Sequence, residues 1–532
     1  MNSLFTNEIY EQIKIAGPTT IGLLFYKVPW MISLYFLGNL GAKELAAGAL
    51  ATTLFNVTGM SLSVGLCSAL VTLTGQAKGD LISKSKHEVQ CDDEEEEIEE
   101  TSSLLGKTNR TNYQTEIEQY DSVDIDQAPI APLIYLYRGI VVQFAFLLPV
   151  GIIWLYGIDP FLMKLGQSRE LAEMTSTYLQ VLTIGLWSYS INYTLMCWLQ
   201  SISIADVPAY AVSIGLLLHI PCNIMFVKVL DMGYLGVALA TIVFQVIQPF
   251  MIVSIVFGTS RGRRRILKGM GTMEGTKLSF WKEFKLAIFS LKGIRQYLSL
   301  ALPGILVISE WWASEVVVFL SGKLEPDPDY ALSAMSIYQT INTFFFQIPL
   351  GFSASASARV GMFLGMNEAK NAKIASQVSI FSAAVLSMLM GSILMLTPHH
   401  IFPSLFTPNK NVIDMAASTI PFLAFYVFAD GLQVVLNGVI KGCGRQATAM
   451  PIVIFAYWCV GVPLAYYNSF TSYEGTTDCP SNTWSFCGVR GLVSAMTIGT
   501  WTHFLLLLVV VMYSIRWDRE TQLAQLRLQK GL

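Results

Sequence analysis

Apolar residues in this chain come in long, almost uninterrupted runs. They lie near residues 17–37, 45–74, 133–155, 175–200, 208–229, 233–257, 297–321, 331–358, 374–397, 412–440, 450–468 and 490–514. Each run is long enough for a helix to cross about 30 Å of hydrocarbon. Only helices and closed barrels satisfy their own backbone in lipid, and runs of this length predict helices. The expected fold class is an all-α polytopic membrane protein with about twelve transmembrane helices. The first sixteen residues are polar and mixed in charge, and the run that follows is long enough to span, so no cleavable signal peptide is expected.

The polar segments between the runs set the orientation. One set of loops holds Lys78, Lys84, Lys86, the cluster Arg261, Arg263, Arg264 and Arg265, then Lys370, Lys373, Lys441, Arg445, Arg516, Arg519 and Arg527. The opposite set holds only scattered cations: Lys43, Lys164, Arg169, Lys228, Lys323, Lys410 and Arg490. Lys and Arg accumulate on the cytoplasmic side, so both termini are expected there. The basic stretch 261–268 is expected to lie against anionic headgroups rather than nucleic acid.

Two halves of the sequence repeat one another. "SVGLCSALVTLTGQAKGD" (63–80) aligns without gaps on "PLGFSASASARVGMFLGM" (349–366), which pairs Gly65, Gly75 and Gly79 with Gly351, Gly361 and Gly365. "GYLGVALA" (233–240) aligns on "GVRGLVSA" (488–495), pairing Gly233 with Gly488 and Gly236 with Gly491. Pro18 and Pro303 each lie early in the first helix of a half. An even number of helices per half places the halves in the same orientation, as two pseudo-symmetric six-helix bundles flanking a central cavity. The expected layout is 1–79 (first-lobe helices 1–2), 80–129 (acidic cytoplasmic insertion), 130–257 (first-lobe helices 3–6), 258–295 (basic linker), 296–514 (second-lobe helices 7–12) and 515–532 (tail). The insertion contains "CDDEEEEIEE", cannot bury a core, and is expected to be disordered.

Composition agrees with this reading and excludes a soluble enzyme. The chain is 53% hydrophobic and only 13% charged, with a mean hydropathy of +0.51, against about 25% charged residues in soluble domains. The eight cysteines show no zinc spacing, and Cys67, Cys197, Cys222 and Cys459 sit in apolar runs as packing residues. Cys479 and Cys487 lie in the loop 469–489 opposite the basic side, where their spacing permits a disulfide. Sequons at Asn56 and Asn192 fall within spans and the one at Asn109 in the insertion, so none is expected to carry glycan.

Against this background, acids inside the spans stand out. "SEWWASEVVVFLSG" (309–322) carries Glu310 and Glu315 with no Lys or Arg between Arg295 and Lys323. A charge at membrane depth costs about 2.5–3.5 kcal/mol on insertion scales. It is retained where it faces a wet cavity or handles protons, and burial favours the protonated carboxyl. Five residues separate the two acids, about 7.5 Å along the axis and about 140° around it. They are therefore expected to face different surroundings, one the cavity and the other a neighbouring helix. Asp430, in "FADGLQVVLNGVIKGCGRQ", is a third acid at depth, flanked by Gly431 and Gly438. Trp311, Trp312, Tyr338, Phe346 and Gln347 offer aromatic faces and an amide to a cation. In the first half, Lys27, Asn56, Gln143, Asn192, Gln200, His219 and Asn223 are polar at or near membrane depth. Of these, Asn56, Gln200, His219 and Asn223 are cavity candidates. Lys27 can snorkel, and His219 is also compatible with a hydrogen-bonded packing role.

At these residues the sequence resembles the multidrug and toxic compound extrusion (MATE) family, its eukaryotic branch in particular. "EWWASE" with "FLSG" resembles the family's seventh helix, "PLGFSASASARVGMFLG" the eighth and "GVIKGCGRQ" the end of the tenth. "NVTG" with "GQAKGD" is similar to the second helix, and "LLLHIPCN" to the fifth. The resemblance covers nearly the whole chain except 80–129. It implies two six-helix lobes and export of organic cations, xenobiotics or amphipathic metabolites in exchange for protons. It also implies proton and substrate binding at Glu310, Glu315 and Asp430. The insertion, Lys78 in "GQAKG" and Lys27 depart from the family pattern.

Three other readings make different demands. A lipid-linked sugar flippase of the same superfamily requires a cationic cavity for its pyrophosphate, and Lys27 is the only cation near depth in the first half. A sodium-coupled exporter requires a deep carboxylate there, whereas Asp159 and Asp231 lie near loop ends. A membrane-embedded enzyme requires a metal cluster or a nucleophile with its base, and no such motif stands out. The expected partners are a small organic substrate, protons and membrane lipid, with no cofactor, metal or nucleic acid, and the expected unit is a monomer. Glu100 with Leu104 and Leu105 fits an acidic dileucine sorting signal in the insertion. A sorting adaptor there would direct the protein to a vacuolar or endosomal membrane, and without it the plasma membrane is equally compatible.

Overall fold

The computed structural model describes residues 2–104, 130–164, 167–272, 280–479 and 485–531. Twelve long helices dominate the described residues: α1 (Leu4–Leu40), α2 (Lys43–Lys86), α3 (Ala131–Tyr156), α4 (Arg169–Ser201), α5 (Asp206–Val229), α6 (Gly233–Gly258), α7 (Leu291–Ser321), α8 (Pro328–Gly365), α9 (Ala369–Leu396), α10 (Ile420–Cys443), α11 (Gln446–Thr471) and α12 (Gly488–Ser514). Ten are long and apolar enough to cross a membrane by length and composition. The two less apolar ones, α4 and α8, bury polar groups inside the protein. Asn192, Thr194 and Gln200 are buried on α4, and Ser353, Ser355 and Ser357 on α8. A helix surrounded by other helices needs less apolar surface than one facing lipid.

The apolar cores divide along the chain. One core is drawn from the second segment of α7, from α8 to α12 and from the C-terminal helix Trp517–Gly531. Two others come chiefly from α1 to α6. The first segment of α7 crosses this division, with Tyr297, Leu300 and Ala301 packed into the first bundle's core, and Leu528 of the C-terminal helix and Ile266 and Met270 of the linker join that core too. The helix breaks at Ile308, between Leu291–Val307 and Ser309–Ser321. Just before the break, a side chain at Gly304 would meet Ser68 and the Gly65 carbonyl of α2. The glycine lets α7 press against α2 at that level.

The internal repeat is structural. Gly233 and Gly488 open α6 and α12 with φ of +56° and +55°, the left-handed conformation that only glycine adopts without strain. A Cβ on Gly236 would lie 2.9 Å from the Phe226 carbonyl carbon, and one on Gly491 would meet Ser469 and the Phe486 carbonyl, so both glycines admit a close backbone neighbour.

The lobes are joined mainly on the side of the basic loops. There α2 crosses α8 at glycines: a Cβ on Gly75 would lie 3.5 Å from the Cα of Gly361, and the reverse distance is the same. One turn on, side chains at Gly79 and Gly365 would collide with the carbonyls of Met362 and Gln76. Polar contacts reinforce the crossing. Gln76 Nε2 donates to the Gly442 carbonyl (3.1 Å), and Gln446 Nε2 donates to Thr72 Oγ1 (2.8 Å). Gln12 Nε2 donates to the Ala375 carbonyl (2.9 Å), and Arg359 pairs with buried Glu8.

The insertion differs in part from its expectation. The helix begun in α2 continues to Leu104, so residues 80–104 are helical rather than irregular. Their Glu, Lys and Gln residues are good helix formers even without a core to join. Residues 105–129 lie outside the described residues, as does Asn109. Leu105 of the sorting motif lies there too, and the side chains of Glu100 and Leu104 are likewise undescribed. Cys479 and Cys487 form a disulfide, with Cα atoms 5.6 Å apart.

Candidate functional site

The two lobes enclose an internal space with two contiguous compartments. The one nearer the basic loops has an empty volume of about 1040 Å³ and is walled by parts of α1, α2, α4, α5, α7, α8 and α10. The other, of about 940 Å³, lies farther along α7 and nearer the start of α8. Lys27, Met60, Glu310, Trp311, Phe346, Gln347 and Leu350 border both.

The three acids meet in the second compartment. Glu310, Glu315 and Asp430 all line it. This corrects the expectation that Glu310 and Glu315 serve different surroundings. After the break at Ile308, the second segment of α7 offers Glu310, Trp311, Trp312, Ser314 and Glu315 to the same space. The cavity wraps around more than a third of the helix, so a separation of about 140° still leaves both acids on its wall. Trp312 Nε1 donates to Ser61 Oγ of α2 (3.2 Å) and Trp458 Nε1 to Ser309 Oγ (3.3 Å), fixing the segment between α2 and α11.

Each acid has a distinct environment. Glu310 Oε2 lies 3.5 Å from Nδ1 of His503 on α12, and His503 is fully buried with its ring edge-on to Tyr457. Asp430 heads a hydrogen-bonded ladder on α10. Gln433 Nε2 donates to Asp430 Oδ1 (2.9 Å), and Asn437 Nδ2 donates to Gln433 Oε1 (2.9 Å). Asn437 lines the first compartment, so the ladder connects the two. Glu315 has no hydrogen bond or ion pair from its carboxylate among the described residues.

The remaining candidates separate cleanly. Trp311, Phe346 and Gln347 line both compartments, Asn56 the second and Gln200 the first. Asn56 lies in the wide turn Phe55–Met60 that interrupts the second helix. Tyr338 is instead buried in the second lobe's core, edge-on to Tyr426 and away from both compartments. His219 and Asn223 do not reach the space either. His219 is buried inside the first lobe, with Nε2 3.2 Å from Ser33 Oγ and Nδ1 3.3 Å from the Ala240 carbonyl, and Asn223 Nδ2 donates back to the His219 carbonyl (2.9 Å). Their polarity is absorbed by helix packing.

Several residues in or behind the cavity wall do not stand out in the sequence. His503 is a lone histidine in the run 490–514, and nothing local marks its partner on α7. Gln339, Asn342, Thr343, Phe346, Gln347 and Leu350 recur at helical spacing along one face of α8, a stripe of which only Phe346 and Gln347 stand out in the sequence. Lys441 counts among the loop cations by sequence, yet it lies in the last turn of α10 and lines the first compartment.

A model of the MatE family matches residues 18–85, 132–225 and 304–467, more than half of the chain. The chain belongs to the MatE family. It is similar to Protein DETOXIFICATION 36 of Arabidopsis thaliana, with 28% identity over 502 residues covering 94% of this chain and 84% of the relative. Protein DETOXIFICATION 16 of the same plant is 27% identical over 532 residues, covering 98% and 92%. Among solved structures, the eukaryotic MATE transporter AtDTX14 shares the fold with a TM-score of 0.76 at 24% identity, covering 99% of this chain and all of that one. The Vibrio cholerae MATE transporter VcmN in its bent form gives 0.69 at 13% identity, covering 99% of each chain. The MatE chain described here is thus an integral membrane transporter with twelve helices in two six-helix bundles.

Proposed function

We propose that this MatE-family chain exports amphipathic organic compounds in exchange for protons, and that Glu310, Glu315 and Asp430 carry the exchange. The observation that supports this most directly is the meeting of all three carboxyls on one cavity wall at the interface of the lobes. A carboxyl there can hold either a proton or a cationic group of the cargo, and mutual exclusion of the two is the basis of antiport. Protonation from the far side displaces the cargo, and deprotonation on the cytoplasmic side restores its site. The lobe contacts concentrated on the basic-loop side fit a state closed toward the cytoplasm, given the orientation expected from loop charge.

The test is efflux from sealed vesicles with an imposed pH gradient. Tetraphenylphosphonium serves as probe, compared between wild type and Glu310→Gln. The amide keeps shape and hydrogen bonding but removes titration. Loss of gradient-driven efflux at normal expression is the expected result. Unchanged efflux removes Glu310 from the mechanism.

A further inference from the structure

The helix Trp517–Gly531 crosses the seam between the lobes on the side of the basic loops, against α2 and the first segment of α7 on one flank and α8 and α9 on the other. Glu520, Ala524 and Leu528 recur at every fourth position and share one buried face. That face is divided between the lobes. Ala524 packs into the second lobe's core, and Leu528, one turn on, into the first bundle's core. The two attachments differ in kind. On the second lobe, Ile515 and Arg516 join the helix directly to α12, and Glu520 pairs with Arg445 at 2.6 Å. Gln525 Nε2 donates to the Gly365 carbonyl (2.7 Å) and Arg527 Nη1 to the Cys443 carbonyl (2.9 Å). These carbonyls close α8 and α10, where a helix leaves its last acceptors without partners of its own. On the other flank, the helix is held by the Leu528 side chain and by one hydrogen bond, from Gln296 Nε2 of α7 to the Arg527 carbonyl (2.7 Å).

We infer that this helix is a releasable strap, which stays with the second lobe and lets go of the first at Leu528 and Gln296 when the cavity opens toward the basic-loop side. Its attachments to the two cores lie one turn apart, about 5.4 Å, so lobes that rock apart at this seam cannot both keep it. The flank without an ion pair yields. The strap therefore favours the state closed toward the basic-loop side, and burial of one leucine sets how readily that state is left. The inference rests on the transport reading above for the rocking of the lobes. It does not depend on proton coupling, because the strap holds the lobes whatever drives them.

The experiment reads access to the first compartment from each side of the membrane. Val212 lines that compartment. Val212→Cys is the reporter, in the full chain and in a background lacking every cysteine outside the disulfide. Sealed proteoliposomes of known sidedness are treated with a membrane-impermeant maleimide. Leu528→Asp should raise labelling from the basic-loop side by at least roughly tenfold. Gln296→Ala, which leaves every apolar contact of Leu528 in place and serves if Leu528→Asp does not fold, should raise it roughly threefold. Labelling from the disulfide side should not rise in either. Leu528→Met keeps the apolar burial and should label as the reporter chain does. Unchanged labelling in the release variants overturns the strap. So does a rise of the same size from both sides, which marks a loosened fold rather than a released lobe. Failure of the Glu310→Gln efflux test alone leaves the strap standing.

Discussion

Gly75 on α2 and Gly361 on α8, equivalent positions in the two sequence halves, lie directly against each other: a Cβ on either would be 3.5 Å from the other's Cα. Equivalent residues can touch only near the axis that relates the two lobes. The repeat read from the sequence thus also marks where the lobes close.

That contact predicts a cross-link. A Cβ at each position would lie 3.5 Å from the other's Cα, close to the span that a disulfide bridges, about 3.5–4.5 Å between Cβ atoms. In a background lacking the native free cysteines, oxidant should join them and stop transport, and reductant should restore it. A pair that never cross-links under turnover would contradict the crossing.

The neighbouring glycines predict a contrast in stability. Gly75→Ala meets only ordinary van der Waals contact, whereas Gly365→Ala drives a methyl into the Gln76 carbonyl. Overpacking of this kind costs about 1–3 kcal/mol. Thermal denaturation should show a clear loss for Gly365→Ala and little change for Gly75→Ala. Equal midpoints would count against the packing described here.

Much of this architecture is legible because lipid imposes it. The twelve runs follow from what a helix needs to cross hydrocarbon, the acids at depth stand out because hydrocarbon penalises them, and the repeated glycines mark close helix contacts. The contacts between elements are less legible. His503 and Glu310 are 193 positions apart in sequence, and only the fold of the second lobe brings them together. His219 looks equally eligible by sequence, yet Ser33 and two carbonyls satisfy it inside the first lobe. The helical extension to Leu104 is hidden because a charged composition argues against a core but not against a helix.

The histidine that the sequence does not single out is itself testable. His503→Leu removes the group beside the Glu310 carboxylate. Gradient-driven efflux should slow by roughly tenfold, equivalent to about 1.4 kcal/mol, while the protein still folds and elutes normally. Efflux at the wild-type rate would show that the pair plays no part in transport.

The disulfide gives a test of the orientation. The orientation expected from loop charge, with cytoplasmic termini, puts the Cys479–Cys487 disulfide on the lumenal or exterior side. A membrane-impermeant maleimide should label them from that side only after reduction. Labelling from the cytoplasmic side would reverse the orientation derived from the loop charges.

The central claim is that proton uptake at the cavity acids and cargo release are one exchange. The most direct measurement is proton movement itself. Wild-type proteoliposomes preloaded with a pH-sensitive dye are given tetraphenylphosphonium without any other driving force. A cargo-dependent pH change, absent in Glu310→Gln and reduced in Asp430→Asn, is the result the account predicts. Cargo uptake of wild-type size with no accompanying proton movement would contradict it.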